Sequence, residues 1–473
     1  MRQNKAEKRI ELRKILESVS PKLRFLPLSS AQLRSWEYQK ADPESPYYNV
    51  ALRVNLKGVL KVEILSKAFI ELLKIHEALN TRFLDRPSGP IQFLAPFEET
   101  VLKVIDLRLL RPTQRGKIFS QIFRESTLMP IRLESDTIFS ATLVRLSDQE
   151  SELLICTHQI ICDGISCYIL LRDLQKLYQS LERKIGVEKK KLKNELFNYI
   201  EKQLSWSDKG TVHEQLSYWK EKLQSAPTEI KLPLNIAEIS DKTPKSLKEN
   251  FIVDSNDFSE IKKFCKSQGL TPFMFLLSAF SAALFKWTNQ GDLVIGTLIN
   301  NRSELDEETW KMAGEFTNFI VLRNQLDLAT TGAELLYKVK QTVLDAHAHS
   351  TIPFEMMRDE LNLERQKNSE PLYQMNSVNV DFIMHNMEFS TDMEFGLVKA
   401  NPSMISTGVG DKINLVDLSF QLLLVGDELI VECQYNRGKV DPESVCELLK
   451  NFRDFSVSLT GNLSLRIYDH LGA

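Results

Sequence analysis

Apolar residues recur at helical spacing in some stretches and at strand spacing in others, and the two kinds are interleaved along the whole chain. KVEILSKAFIELLKIHEAL (61–79) carries them at a period near 3.6. So does GISCYILLRDLQKLYQSL (164–181), whose expected inward residues are Ile165, Tyr168, Ile169, Leu174, Leu177 and Tyr178. SSAQLRSWEY (29–38) also predicts a helix, whereas ALRVNLKG (51–58) alternates as a strand and ELLICT (152–157) is a β-branched, apolar run. The mixture predicts an α+β fold.

The same alternation resumes after LSYWKEKLQSAP (216–227), with KSQGLTPFMFLLSAFSAALFKWT, then DLVIGTLIN, a charged helix and NFIVLRNQL. FMFLLSAFSAALF (273–285) is shorter than the ~20 residues of a membrane span and is closed by Lys286, so it reads as a buried helix. VDLSFQLLLVGDELIVECQYN (416–436) predicts two strands joined at Gly426-Asp427. The two halves are alike in class, but no self-matching period is visible. Between them the lysine-rich stretch 183–195 (Lys189, Lys190, Lys191, Lys193) reads as a solvated helix face or linker. The expected organisation is an extension over 1–20, with Ile10, Leu12, Ile15 and Leu16 at helical spacing; an N-terminal subdomain over 21–190; a linker over 191–215; and a C-terminal subdomain over 216–473.

Composition narrows the class. The chain has 473 residues, 43% hydrophobic and 26% charged, with only 18 Gly and 17 Pro, which describes a folded protein of two or three domains, or of two halves sharing a cleft. Lys+Arg 60 against Asp+Glu 63 leaves a formal charge of -3. No global basic field exists to gather nucleic acid or anionic lipid, and neither is expected as a partner. The six cysteines form no C-x-x-C pair, so reduced thiols are expected rather than a zinc site or disulfides. The opening MRQNKAEKRIELRKILESV is charged throughout and has no signal-peptide core; the expectation is a discrete cytoplasmic protein.

The candidate chemistry lies in THQIICDGIS, between the strand at 152–157 and the helix at 164–181. His158 is the one group there that titrates near neutrality. Cys162 and His158 offer a conceivable nucleophile pair, but Cys162 follows two isoleucines and so reads as packed. Asp163 stands where a helix N-cap belongs.

HQIICDG is similar to the HHxxxDG signature of the condensation domains of nonribosomal peptide synthetases, in the chloramphenicol-acetyltransferase-like superfamily. Further motifs follow in that family's order: SSAQLRSW (29–36), IHEALNTRF (75–83), YW (218–219), DLVIGTLINNR (292–302), MAGEFTNFIVLR (312–323), HSTIPFE (349–355), PLYQMNSV (371–378) and QYN (434–436). The resemblance spans residues 25 to 460. It implies two acyltransferase-like subdomains forming a V-shaped pseudo-dimer with a tunnel at their interface. It also implies peptidyl or acyl carrier proteins as partners, presenting substrates on 4'-phosphopantetheine, with no bound cofactor or metal, and a monomer. The acceptor's amine, or less readily its hydroxyl, would attack the donor thioester.

Two departures bear on the chemistry. The family's second histidine, which steers or takes the nucleophile's proton, is here Gln159, which orients by hydrogen bonds but holds no proton at neutral pH. The arginine that the resemblance pairs with Asp163 is here Asn80. Arg82, two residues further along an extended segment, is the candidate substitute. The resemblance thus makes Gln159 and His158 the catalytic candidates and Asp163, Gly164, Asn80 and Arg82 structural ones. Asn318, His349 and Arg302 fall at the tunnel or interface, Arg302 within a local network. His76 reads as packing, and His347 has no family match.

Three functions follow: a condensation-type acyltransferase, a condensation-like module that recruits a tailoring enzyme or gates a carrier protein, or an acyl-CoA-dependent transferase. Epimerisation needs a base that Gln159 cannot be. The cyclising variant carries two aspartates that this signature lacks.

Overall fold

The computed structural model describes residues 24–95, 102–135, 137–185, 196–204, 210–233, 246–302, 307–373, 378–385, 393–405 and 416–469. The expected N-terminal helix and the four lysines of the predicted linker face lie outside the described residues.

The chain forms two compact units. The first comprises Met1–Asp208, Arg302–Phe316 and Phe389–Gly408, and the second Lys209–Asn301, Thr317–Glu388 and Val409–Ala473. Two stretches of the segment expected as the C-terminal subdomain therefore pack within the first unit. The expected linker also holds the helix Leu196–Leu204, which buries Leu196, Phe197, Tyr199 and Ile200 in the first unit's core. Its apolar face is hidden in the sequence by the lysines beside it.

The first unit is built on a six-stranded mixed sheet in the order Met393–Phe395, Val398–Ile405, Asn49–Lys57, Glu150–His158, Phe139–Arg145, Leu102–Asp106. Asn49 stands opposite His158 in the antiparallel register of the two central strands. Residues Ser151 to His158 are all buried, which is why ELLICT reads as a continuous apolar run rather than an alternating one. The helices Val62–Ile75 and Gly164–Glu182 share one core with this sheet. The helix Pro112–Thr127 contributes Ile122 to a second cluster with Leu107, Val144 and Leu154.

Helix Gly164–Glu182 corrects the expected inward face. Cys167, Ile169, Leu170, Leu171, Leu174, Leu177 and Tyr178 are buried with Ser166, whereas Tyr168 is exposed and Ile165 only half-buried. Ser166 faces inward as well, where its Oγ donates to Asp163 Oδ1 and accepts from Arg302 Nη2.

The second unit has its own six-stranded mixed sheet, ordered Thr317–Gln325, Asp292–Asn300, Val380–His385, Leu418–Val425, Glu428–Asn436, Ser246–Val253. The predicted hairpin is present: Val425 pairs with Glu428, leaving the two-residue turn Gly426-Asp427, with Gly426 at φ 60°. The long apolar helix expected over 273–285 is present whole and buried within Pro272–Thr288, and KSQGLTPF separates it from a preceding helix, Ser255–Gln268. Gly269 ends the first at φ 62°, and Thr271 caps the second, whose first residue is Pro272. Phe280 stacks over Phe382 and packs on Phe420, with ring centroids 5.1 and 4.4 Å apart. The charged helix expected between DLVIGTLIN and NFIVLRNQL is described only as the short 3₁₀ stretch Glu307–Lys311. No single described helix is long and apolar enough to cross a membrane.

Candidate active site

The strand Glu150–His158 ends at His158, where a 3₁₀ turn, Gln159–Ile161, leads to the helix Gly164–Glu182. His158 is fully buried. Its Nδ1 accepts the Ile160 N–H at 3.1 Å, and its Nε2 lies 3.2 Å from Gln39 Oε1. Burial alone pulls the imidazole pKa down to about 3, so the ring is neutral at physiological pH. Both ring nitrogens are engaged, which removes His158 as a base for Cys162. That thiol is itself buried, 3.7 Å from Cys167 Sγ, and its pKa is raised by the hydrogen bond to Cys167 and by burial. The Cys-His pair is therefore excluded.

Gln159 is held by its backbone. Its N–H donates to Tyr48 O at 2.8 Å, and its C=O accepts from Cys162 N–H at 3.0 Å. Its side chain is half-buried, and among the described residues its carboxamide makes no hydrogen bond. Gly164 is exposed, and a Cβ at that position would meet no atom within 4 Å. The turn thus offers an uncommitted carboxamide beside a position free of side-chain bulk.

Asp163 is the N-cap of the helix, with Oδ1 accepting from Ser166 N–H at 2.8 Å. It also has a charged partner that the sequence does not reveal. Arg302 Nη2 lies 2.8 Å from Oδ1 and 2.9 Å from Oδ2, and both side chains are almost fully buried. Arg302 Nη1 donates to the carbonyls of Thr309 and Met312, and its guanidinium sits 4.0 Å over the Phe316 ring. Phe316 N–H donates to Asp163 Oδ2 at 3.3 Å, and Asp163 N–H donates to Gly314 O at 3.1 Å. Ser166 Oγ accepts from Arg302 Nη2 at 2.8 Å and from Gly314 N–H at 3.0 Å. One cation therefore satisfies the carboxylate and ties the segment 302–316 to the helix start.

The expected substitution by Arg82 is not what occurs. Arg82 Nη1 donates to Thr81 O at 3.0 Å. Asn80 Nδ2 donates to Leu73 O at 2.6 Å, satisfying a carbonyl in the last turn of the helix Val62–Ile75. An asparagine at that position leaves Asp163 paired because Arg302 does the pairing. His76 bridges rather than merely packs, with Nε2 3.1 Å from Asp173 Oδ2 and Nδ1 3.4 Å from Ala313 N. Burial opposes the charge of Asp173, but hydrogen bonds from His76 and Arg172 outweigh it and lower the pKa.

In the second unit, Asn318 Nδ2 donates to Ser350 O and Ile352 O, each at 2.7 Å, pinning the loop to the strand Thr317–Gln325. His349 stacks on Tyr218 with centroids 3.8 Å apart, and its Nδ1 donates to Asp345 O at 2.8 Å. Trp219 Nε1 donates to His349 O at 2.8 Å, which gives the YW motif a local purpose. In the opening motif, Ser29 and Gln32 form a reciprocal capping box at the start of the helix Ser30–Ala41. Gln39, Tyr48 and Ser166 escape the sequence reading. Ser166 carries a signal, as the third residue after an Asp N-cap; Gln39 carries none.

Residues 22–469 match the family described as Condensation domain, and the chain belongs to it. A linear gramicidin synthase from Brevibacillus parabrevis has a polypeptide that is 30% identical over 427 residues, covering 90% of this chain and 8% of that protein. Phosphinothricin tripeptide synthetase PhsC from Streptomyces viridochromogenes is 30% identical over 371 residues, 78% of this chain and 33% of that protein. The chain thus spans a minor part of the length of these relatives. Among solved structures, a mutant starter condensation domain of rhizomide synthetase, bound to C8-CoA and Leu-SNAC, superposes with TM-score 0.75 at 19% identity, covering 94% of this chain and 96% of that one. The SgcC5 protein from Streptomyces globisporus gives TM-score 0.74 at 18% identity, covering 93% and 100%. The fold is the expected α+β, chloramphenicol-acetyltransferase-like one.

Proposed function

We propose that this chain is a condensation-type acyltransferase that joins an acyl or aminoacyl thioester, carried on the phosphopantetheine of a carrier protein, to an acceptor amine. The observation that carries the reading is Gln159: a carboxamide with no partner among the described residues, on a turn clamped at Tyr48 and Cys162 and braced by the Asp163–Arg302 pair.

In the reaction the amine nitrogen forms a C–N bond to the thioester carbonyl, the C–S bond breaks, and the amine's proton ends on the departing thiol. Gln159 Oε1 accepts an N–H of the amine and so aims its lone pair; it takes no proton. A neutral amine needs only that, whereas a hydroxyl needs a base, so amide formation is favoured over ester formation.

An acyl-CoA donor is the second reading, supported by the neighbouring starter domain bound to C8-CoA. A module that recruits a tailoring enzyme or gates a carrier is the third, supported by the lost base. Intact-mass spectrometry separates them. Candidate carriers loaded with donor and acceptor are incubated with the protein, and acyl-CoA replaces the donor carrier in a parallel arm. Product above background from loaded carriers supports the first reading; product from acyl-CoA alone supports the second. No product in either arm, with carrier binding retained, supports the third.

A further inference from the structure

We propose that Gln39 is a positioning residue of this site: it fixes His158 as the Nε2–H tautomer and through it holds the turn that presents Gln159. The proposal rests on the reading of Gln159 as the orienting group. Gln39 lies in the last turn of the helix Ser30–Ala41 and is buried. Its Nε2 faces three backbone carbonyls, Asp42 and Pro43 at 3.3 Å and Ser45 at 3.2 Å. Only an NH₂ group can serve those acceptors, so Oε1 is the atom turned to His158, 3.2 Å from Nε2. Nε2 must then carry the ring proton. Nδ1 is left bare, as its contact with the Ile160 N–H at 3.1 Å requires.

The chain of donors runs in one direction. Gln39 donates to the carbonyls of residues 42–45, His158 donates to Gln39, and Ile160 donates to His158. The other tautomer would set an Nδ1–H against the Ile160 N–H, two donors face to face in a buried site. Ile160 follows Gln159 directly, so release of its N–H loosens the turn. Burial, the only cause of the lowered imidazole pKa, disfavours the cation that would break the same bond. The nearest titratable ring is Tyr48, 5.9 Å from the imidazole, whose pKa is raised chiefly by burial and which stays neutral. Gln39 also lines a hollow of about 320 Å³ with Trp36, Pro43 and Leu133, so the replacement must stay large enough to keep water from His158.

The test uses the full chain, ¹⁵N-labelled at histidine, as wild type, Gln39→Met and Gln39→Glu. Long-range ¹H–¹⁵N spectra report the tautomer of His158, hydrogen exchange reports the Ile160 amide, and the intact-mass assay gives kcat and KM. Wild type is expected as the pure Nε2–H form. Gln39→Met, which offers no acceptor, is expected to mix tautomers, speed exchange at Ile160 and lower kcat about 10- to 100-fold with KM unchanged. Gln39→Glu still accepts from Nε2–H but cannot donate to the three carbonyls, so it keeps the tautomer while exchange at residues 42–45 rises. If Gln39→Met does not fold, Gln39→Glu still decides: a switched tautomer there contradicts the proposal. Unchanged tautomer and exchange in Gln39→Met, or a switched tautomer with wild-type kcat, also overturns it. If wild type makes no product, the functional reading fails on its own, while the tautomer and exchange data still decide what Gln39 does.

Discussion

Replacing Asp163 by Asn isolates the buried ion pair, because Asn caps a helix as well as Asp does and has the same shape. The side chain of Arg302 is 0% exposed and that of Asp163 3%, so water does not screen the pair. Oδ1 receives Ser166 N–H and Arg302 at 2.8 Å each, while Oδ2 receives Arg302 at 2.9 Å and Phe316 N–H at 3.3 Å. Whichever way the Asn amide is turned, its NH₂ confronts two donors, and Arg302 loses the carboxylate that Asp163 supplies to its buried charge. Removing one partner of such a pair costs about 3 to 5 kcal/mol. Urea denaturation followed by far-ultraviolet circular dichroism reads the loss as a lowered midpoint at constant slope. Hydrogen exchange in the helix Gly164–Glu182 shows where it falls. A cost for Asp163→Asn under about 1 kcal/mol, the range of an exposed pair, or exchange that rises everywhere except at that helix, refutes this role for the pair.

Three further outcomes are expected. In native protein, maleimide modifies Cys446, the one exposed thiol, and spares Cys162, which is buried with a raised pKa; labelling of Cys162 at the same rate contradicts its packing. The His158 ring signals do not titrate between pH 8 and pH 5, since its pKa is about 3 in the fold. Unfolded chains take up that proton near pH 6.5, so His158 costs nothing above that pH and removes about 1.4 kcal/mol of stability per pH unit below it; a titration midpoint above 5.5 is incompatible with its burial. Asp381 runs the other way: burial raises its pKa to about 7 against hydrogen bonds from Ser419 and Phe420, and its Oδ1 has no partner among the described residues. Its stabilising share is complete below pH 4 and is lost as pH rises to about 7, so the gain from Asp381→Asn grows by about 1.4 kcal/mol per pH unit across that range; a pH-independent difference rules it out.

Much of this is legible in the residues, for physical reasons that differ by element. Alternation finds the strand at Asn49–Lys57 and helical period the helix at Val62–Ile75, because each has one apolar buried face, whereas the helix Ser30–Ala41 buries Gln32, Ser35, Trp36 and Gln39, a largely polar face that no apolar period records. The Gly-Asp turn announces the late hairpin because a two-residue turn needs a positive φ. The N-cap role of Asp163 follows from its place before an amphipathic helix. Its partner does not, since Arg302 is 139 residues away and no periodicity records a long-range ion pair. The resemblance, whose arginine falls at Asn80, points to Arg82 two residues further on, whereas the arginine that arrives comes with the segment 302–316, which joins the first unit from the second half of the chain. The expected inward face of the helix Gly164–Glu182 includes Ile165 and Tyr168 and omits the buried Cys167, Leu170 and Leu171, and no hydrophobic pattern registers the buried Ser166.

Gln159 as an orienting group is the central claim, and the most direct measurement is the rate of product formation on loaded carrier proteins by wild type, Gln159→Ala and Gln159→His. Wild type should make product, and Ala should slow it about 10- to 100-fold through lost orientation. A further gain with His, by up to about the 10²–10⁴ of a general base, would show the absent base to limit the rate. Equal rates for wild type and Gln159→Ala would contradict the central claim.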